Sequence, residues 1–361
     1  MFLAMKDLKY NKARYSLIIS MLILLTFMVL FLSGLANGLS LATSATIKNA
    51  QADYYVLSDD VDSVITRSKV TEDQFKKALD MTSGEVTPIN LMRMNIQKKD
   101  NDKKIDITYM AIDKNSFMMP EIFDGNEISD SENTILLNNS FLDEGISIGD
   151  KIIDSASGIE MKVVGFVKDQ MFGHSAVGVI SINTFENIRT EIDKNYKTSY
   201  NALAIKGDDI ENINIENLEL ISKDEVIKNI PGYSQEQMSV NMILWVLLIV
   251  SAFILGVFFY IITIQKLMEF GVMKALGMRM KELSSMVISQ VLILSGGSMI
   301  VGNILAFAIS KLLPNSMPFS LQGNSALIIS IIFIVISILV SLVSLIKISK
   351  VDPLMTIGGR E

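Results

Sequence analysis

The single histidine of the chain, His174, lies in a stretch whose residue types suggest nucleophilic chemistry. Residues 173–178 read GHSAVG, which places Ser175 beside an imidazole and between two glycines. A nucleophile elbow requires the spacing G-x-S-x-G, and here the second glycine comes one residue late. A histidine inside the elbow is also unable to act as the distant base of a triad. We therefore expect residues 173–178 to form a flexible loop outside the cell, not a catalytic centre.

Other residue patterns that carry chemistry are missing from the sequence as well. The chain has no cysteine, which excludes a disulfide framework, a thiolate metal site and a cysteine nucleophile. No segment matches G-x-x-x-x-G-K-[ST], the P-loop that holds a nucleotide phosphate. The acidic stretch Ser58–Asp62 lacks the glycine and terminal glutamate of a calcium loop and is interpreted as a solvated turn. We predict no catalytic residue, no metal site and no permanently bound cofactor.

Four long apolar runs dominate the chain, in which half of all residues are hydrophobic. A helix needs about 20 apolar residues to cross a hydrocarbon core of about 30 Å, and each run is long enough. Continuous apolar runs predict helices, because only helices and closed barrels satisfy backbone hydrogen bonds inside a bilayer. The runs are Leu17–Ser40, Val240–Gln265, Leu283–Leu313 and Ala326–Ile346.

Lysine and arginine beside these runs predict the orientation of the chain, because basic residues near span ends favour the cytoplasmic side. They lie before the first run, between the second and third, and after the fourth, whereas loop 314–324 has none. Both termini and the segment between the second and third runs are therefore predicted to be cytoplasmic. The basic residues are Lys6, Lys9, Lys12, Arg14, Lys266, Lys274, Arg279, Lys281, Lys347, Lys350 and Arg360.

The region from Leu41 to Ser239 would then lie outside the cell. Its 20 lysines and arginines against 34 aspartates and glutamates argue against binding to nucleic acid or anionic lipid. Its patterns predict a mixed α/β domain. They indicate two strands around a charged tip at residues 98–104, a helix with Thr71 as its N-cap, and a strand followed by a helix over residues 178–192.

A short charged segment, Glu269–Leu283, separates the second run from the third. On a helix its apolar residues fall on one side and its charged residues on the other. Gly277 is placed to end a short helix before the third span begins. Periodicity alone is equally compatible with an interfacial helix that has no partner. The apolar side consists of Phe270, Met273, Leu276, Met280 and Leu283.

This segment resembles the cytoplasmic signature of FtsX-like, MacB-type ABC-transporter permeases. Members carry E-[FI]-G-[IV]-[LM]-[KR]-A-[LI]-G between their second and third spans, and residues 269–277 read EFGVMKALG. Residues 350–353, KVDP, resemble the C-terminal basic-x-D-P motif of the family. SIGDKI at 147–152 with MKVVGFVKD at 161–169 resembles its external GDKI…VVGI element. One span, a large external domain and three further spans follow in the family's order, so the resemblance covers the whole chain.

The resemblance implies a homodimer of permease subunits that binds two copies of a separate ABC ATPase. ATP would then reach the system only through that partner. In this family the ATPase levers the external domains by mechanotransmission, and cargo does not pass through a channel between the spans. The coupling residues that the resemblance implies are Glu269, Phe270, Gly271, Met273, Lys274, Leu276 and Gly277.

The predicted fold class is a membrane protein of four transmembrane helices with a mixed α/β extracellular domain between helices 1 and 2. The predicted location is the plasma membrane. The predicted order is a cytoplasmic amphipathic segment 1–15, a span 16–40, the extracellular domain 41–239, a span 240–265, a coupling helix 266–282, a span 283–313, a short extracellular loop 314–325, a span 326–346 and a cytoplasmic tail 347–361.

Within the family, the chain most resembles the compact haem-exporting permeases of Gram-positive bacteria in length, in residues 1–19 and in residues 29–39. Haem, as the substrate of such an exporter, would enter from the outer leaflet between the first two spans. The chain has 22 methionines, and a thioether is a known axial ligand of haem iron. Methionine also fills gaps in apolar packing. The candidate haem residues are Met28, Phe31, Tyr233, Met238, Met242 and Trp245.

Two alternatives stay open on the sequence. The cargo of a permease of this family can be an antimicrobial peptide, a lipid or a lipoprotein instead of haem. Alternatively, the protein transports nothing, and its external domain regulates a cell-wall hydrolase as FtsX proteins do. Those proteins usually have a different external domain.

The orientation is testable because the chain has no native cysteine. We expect Asn101→Cys to react with a membrane-impermeant maleimide in intact cells, since residues 41–239 are predicted to be outside. Arg279→Cys should react only after the cells are permeabilised. The reverse labelling pattern would contradict the orientation and the proposals that depend on it.

Overall fold

The computed structural model describes residues 10, 12–82, 84–99, 103–207, 215–314 and 317–349. Three predicted features lie wholly or partly outside these residues: most of segment 1–15, the centre of the charged tip at 100–102, and the tail from residue 350 with its KVDP motif. The chain divides into two compact units. Of the described residues, those up to 37, 239–314 and 319–349 form the membrane unit, and those within 38–238 together with 317–318 form the inserted domain.

The membrane unit is helical, and the inserted domain contains both helices and strands. The helices of the described residues are α1 (Lys12–Asn49), α2 (Glu72–Met81), α3 (Ile182–Ile192), α4 (Lys223–Lys228), α5 (Tyr233–Gln265), α6 (Leu267–Ala275), α7 (Met280–Ser310) and α8 (Gly323–Ser349). The strands are β1 (Tyr54–Ser58), β2 (Val70–Thr71), β3 (Glu85–Lys98), β4 (Ile105–Ile112), β5 (Ile122–Gly125), β6 (Thr134–Asn138), β7 (Lys151–Asp154), β8 (Glu160–Val167), β9 (Met171–Phe172), β10 (Ser175–Ser181), β11 (Ser199–Tyr200), β12 (Ala202–Lys206) and β13 (Leu218–Ser222).

Among the described residues, α1, α5, α7 and α8 are long and apolar enough to cross a membrane. The protein therefore has the predicted architecture of four such helices with a mixed α/β domain between the first two. Two of these helices extend beyond the predicted spans. Helix α1 continues nine residues beyond Ser40, and α5 begins seven residues before Val240. The length of an apolar run predicts only the part of a helix that lies in the hydrocarbon core. The backbone hydrogen bonds of the helix can continue beyond that part.

The helices of the membrane unit pack through apolar and small side chains. One cluster joins the first half of α1 to the second half of α5 and to α7. Gly302 of α7 lies against α1, since a Cβ there would come within 2.8 Å of Thr26 Cγ2. Small residues of this kind let membrane helices approach closely. The buried members of the cluster are Tyr15, Ile18, Leu22, Leu25, Leu255, Phe259, Ile262, Val291, Leu294, Met299 and Phe333.

The inserted domain is built on one mixed sheet. Its strand order is β13-β1-β12-β3-β4-β10-β6-β8-β5, with β7 beside β3 and β8, and β9 beside β10. Strands β4 and β10 are parallel, as are β6 and β8, and the other pairs in the sheet are antiparallel. Both faces of the sheet are covered: Ile107 and Tyr109 of β4 belong to one apolar core, and Met110 and Ile112 to the other. This division follows the two-residue period of a strand.

The local predictions for this domain are largely confirmed. Strands β3 and β4 pair around the charged tip, with Ile96 opposite Ile105. Thr71 caps α2, and its hydroxyl accepts from the Gln74 N–H. Strand β10 is followed directly by α3. The prediction of a loop at residues 173–178 is wrong, because Ser175–Ser181 is a strand and only Gly173 and His174 form the turn before it.

Candidate functional site

The segment between the second and third spans contains a separate short helix. Helix α6 ends at Ala275, and Gly277 adopts a left-handed φ of +94°. The Gly277 N–H donates to the Lys274 carbonyl and the Met278 N–H to the Met273 carbonyl. This pair of bonds is a Schellman motif, which glycine forms without a Cβ penalty. The prediction that Gly277 ends a short helix before the third span is confirmed, and this helix covers residues 267–275 of the predicted 266–282.

One face of α6 is anchored to the chain's own third span. The Phe270 side chain is 2% exposed and packs in a cluster with Leu283 and Val287 of α7. Met273 and Met280 pack against the same cluster. Of the five residues on the predicted apolar side, only Leu276 is exposed, at 83%. Most of the apolar side thus packs α6 against α7, and the coupling role that the resemblance implies for these residues stays a prediction.

The opposite face of α6 is open. Met268, Val272 and Leu276 follow each other at four-residue intervals and are 69%, 52% and 83% exposed. Glu269 is exposed beside them, whereas Gly271 is buried. Residues four apart lie on one side of a helix. We call Met268, Glu269, Val272 and Leu276 the docking face.

Lys266 links the start of α6 to two spans, and sequence reasoning used it only as a marker of orientation. Its side chain is 2% exposed. Its ammonium lies 3.4 Å from Gln290 Oε1 of α7 and 5.6 Å from the ring centroid of Tyr15 of α1. A buried lysine needs such polar and aromatic partners, because an isolated charge is costly to bury. No sequence pattern reveals these contacts, which join residues far apart in the chain.

The first half of α5 has no buried residue, whereas its second half has five, namely Ser251, Leu255, Phe259, Ile262 and Thr263. Met242 is 64% exposed and Trp245 67%, and Ile249 and Phe253 continue the same exposed apolar surface at 66% and 73%. Two of the predicted haem residues, Met242 and Trp245, therefore lie on an exposed surface of α5. Met238, one turn before Met242, is 75% exposed.

The other predicted haem residues have more varied surroundings. Met28 of α1 is 47% exposed. The Phe31 ring lies 5.1 Å from the ring of Phe319, centroid to centroid, and so already has an aromatic neighbour in the membrane unit. In the inserted domain, the Tyr233 hydroxyl lies 3.1 Å from the Ser40 hydroxyl. The assignment of these residues to a haem site stays a prediction.

A polar cluster in the inserted domain connects the end of α1 with the start of α5. His174 is at the tip of the turn between β9 and β10, where the Gly173 and His174 N–H groups donate to the Thr43 and Ala42 carbonyls of α1. His174 Nε2 lies 3.1 Å from Thr43 Oγ1 and 3.2 Å from Glu236 Oε2 of α5. The Thr43 hydroxyl is 3.2 Å from the same carboxylate oxygen. We call His174, Thr43 and Glu236 the hairpin joint.

The end of α1 has a further contact in this domain. The Lys223 ammonium donates to the Ala50 carbonyl at 2.6 Å, just beyond the last residue of α1. Cations at a helix C-terminus are favourable because they complement the helix dipole. Burial lowers the pKa of Lys223 from its ordinary value, although Asp53 and Asp224 oppose the shift.

Comparison with known proteins agrees with this architecture. Residues 241–353 match the family model described as "FtsX-like permease C-terminal". The whole chain is 28% identical over 366 residues to a protein of Staphylococcus haemolyticus described as "Putative hemin transport system permease protein HrtB", with 100% of both chains covered. A protein of Staphylococcus epidermidis with the same description is 29% identical over 365 residues, with 99% of both chains covered.

Solved structures resemble part of the chain only distantly. The extracellular domain of the noncanonic ABC-type transporter YknZ from Gram-positive bacteria aligns with a TM-score of 0.35 and 12% identity. The alignment covers 47% of this chain and 99% of that domain.

The packing of α6 leads to a stability prediction. Phe270→Ala should lower the free energy of unfolding by about 3 kcal/mol, because it leaves a cavity against α7. Leu276→Ala, a truncation on the open face of the same segment, should have little effect. Thermal denaturation of the purified chain in detergent would measure both. Equal stability of the two variants would contradict the burial of Phe270.

Proposed function

We propose that this chain, which carries an FtsX-like permease domain, is the permease subunit of an ABC efflux transporter. The observation that carries the proposal is the separate helix α6. It contains most of the sequence EFGVMKALG, which spans residues 269–277 and ends at the glycine that follows the helix. Its buried face is fixed to α7 and its docking face is open. Because the sequence has no P-loop, ATP hydrolysis would belong to a partner ATPase that contacts this face.

The anchoring of α6 supports a role in force transmission. A partner that pushes on the docking face moves a helix whose Phe270 is packed into α7. The same movement reaches Lys266, whose ammonium contacts Gln290 of α7 and Tyr15 of α1. Closely packed contacts of this kind transmit displacement because protein interiors have low compressibility. Force applied to the docking face would therefore move α1 and α7 together.

The proposed output is movement of the inserted domain. Helices α1 and α5 are each continuous across the residues that divide the two units. At their inserted-domain ends, the hairpin joint connects both helices to the β9–β10 turn. A relative movement of the two helices would therefore displace the turn and β10, which follows it in the sheet. This arrangement supports mechanotransmission.

The orientation and assembly belong to the same proposal. The basic residues flanking the spans support cytoplasmic termini, a cytoplasmic α6 and an extracellular inserted domain. Two permease chains with two ATPase copies form the proposed transporter in the plasma membrane. The exposed apolar surface of α5 that includes Trp245 and Phe253 would face lipid, cargo or the second permease chain.

Haem is the proposed cargo. The description of the two Staphylococcus relatives, which span the full length of the chain, supports this choice. The exposed thioethers of Met28 and Met242 are chemically suited to haem iron, and Trp245 offers an exposed aromatic surface. An amphipathic porphyrin would reach these helix surfaces from the lipid.

Coupling is tested by changing the docking face without disturbing the anchor. Glu269→Lys combined with Val272→Asp should leave the chain folded, because both side chains are exposed. Stimulation of the partner's ATPase activity and protection of cells against added haem should both be lost. Gly271 is less useful as a test, because it is buried and a larger side chain there would disturb folding.

The matched control for coupling is Lys281→Glu, a charge reversal at an exposed residue in the first turn of α7. We expect it to keep ATPase stimulation and protection. If the double variant behaved like this control, the docking face would be wrong. The ATPase activity of the wild-type complex can also be measured with each cargo added. A response to an antimicrobial peptide but not to haem would point to the alternative cargo.

The cargo is tested by removing sulfur at constant volume. Purified wild-type chain should develop a Soret band on haem addition, and Met28→Leu with Met242→Leu should shift that band and weaken binding about tenfold, because an axial ligand is lost. Leucine keeps the side-chain volume nearly unchanged. Met299→Leu, at a methionine buried in the helix cluster, is the control and should change neither property. An unaltered spectrum in the double variant would show that neither methionine is a ligand of the haem iron.

A further inference from the structure

The inserted domain contains a small cleft whose lining includes three cationic residues. The cleft has a volume of about 180 Å³ and lies among the residues before β2, strand β3 and helix α3. Arg67 and Lys69 line it from the segment before β2, and Arg189 lines it from α3. This concentration of positive charge is unexpected in a region that has 14 more acidic than basic residues.

None of the three cations forms an ion pair with a carboxylate among the described residues. Lysines elsewhere in the same domain do so repeatedly, as in Lys98 with Asp150 and Lys114 with Asp130. The carboxylate of Glu186, one turn before Arg189 on α3, accepts a hydrogen bond of 2.8 Å from the Thr198 hydroxyl. The cleft therefore gathers positive charge that the surrounding acidic residues leave unneutralised.

The floor of the cleft is held by a hydrogen-bond network around Asn201. Its side-chain oxygen accepts from the Leu91 N–H at 2.8 Å, and its amide donates to the Ser68 carbonyl at 3.1 Å. The Asn201 N–H in turn donates to Asn90 Oδ1 at 2.9 Å. Ser68 lies between Arg67 and Lys69, so this network fixes the backbone that carries both cations against β3.

The third cation, Arg189, is oriented by two uncharged neighbours. The Arg189 guanidinium lies 5.0 Å from the ring centroid of Tyr196, and its Nη1 is 3.6 Å from Met92 Sδ. An aromatic face and a thioether position a guanidinium but do not neutralise it. The fork of donors on Arg189 is then available for an oxyanion, which arginine binds through paired hydrogen bonds.

We propose that this cleft, formed by Arg67, Lys69 and Arg189 over the Asn201 network, is a binding site for a phosphate group. The N–H donors of two guanidinium groups and one ammonium match a tetrahedral oxyanion better than a planar carboxylate, which has fewer acceptor atoms. The volume suits a single such group and excludes a large ligand from the cleft itself. The phosphate can be free or part of a phosphodiester polymer whose chain continues outside the cleft. The site is independent of the proposed haem cargo and of the docking face.

The test uses the full-length chain in detergent and titration calorimetry with inorganic phosphate, poly(glycerol phosphate) and acetate at low salt. Wild type should bind inorganic phosphate or the polymer saturably and acetate far more weakly, and the affinity should fall as salt is added. Arg67→Gln, Lys69→Gln and Arg189→Gln combined should weaken binding by roughly 100-fold, since several charge-assisted hydrogen bonds are lost. Binding of the polymer alone, lost in the triple variant, also supports the site and identifies its source.

The control variant is Arg93→Gln, which removes an exposed arginine of β3 that pairs with Asp106 outside the cleft. It should bind phosphate like wild type. The Arg189→Lys variant keeps the charge but loses the paired donors, and should bind with intermediate affinity. Unchanged binding in the triple variant, equal weakening in the Arg93 control, equal affinity for acetate, or no saturable binding of either phosphate probe by wild type would each overturn the proposal. Thermal denaturation of each variant shows that the fold is retained.

Discussion

Backbone hydrogen bonding in hydrocarbon is the constraint on which the rest of this structure depends. A chain that crosses a bilayer has to satisfy each N–H and C=O group internally, and a helix does so along its whole length. Once α1 and α5 are helical for this reason, nothing requires them to end where the lipid ends. They continue to Asn49 and begin at Tyr233, so helical backbone rather than a loop belongs to both units.

The two faces of α6 have different surroundings, one buried and one exposed. Burial of Phe270 against Leu283 and Val287 makes α6 part of the membrane unit instead of a helix lying loosely at an interface. The left-handed turn at Gly277 redirects the chain so that α7 returns along the anchored face. Because the apolar residues are used for this anchor, the docking face is a mixed surface of Glu269 with exposed Met268, Val272 and Leu276.

Inside the inserted domain, a few polar side chains join segments that are distant in the chain. His174, the residue most suggestive of chemistry in the sequence, serves in the structure as a contact between a β-turn and two helices. Asn201 likewise joins distant segments, because its side chain bonds both β3 and the segment before β2 at the floor of the cationic cleft. Such bonds are worth only about 1 kcal/mol each, but leaving their partners buried and unpaired would cost more. Their main contribution is to fix geometry.

The sequence by itself determined the four spans, the position of the α/β domain between the first two, the cap at Thr71, the β3–β4 pair and the glycine that ends α6. Each of these depends on composition, periodicity or backbone preference over a few residues. It did not reveal which face of α6 is buried, because an apolar residue on a helix is equally suited to the chain's own third span and to a partner. The surroundings of Lys266, the hairpin joint and the cationic cleft were decided only by the tertiary structure. Their members are separated by up to hundreds of residues, and no local pattern encodes which of them meet.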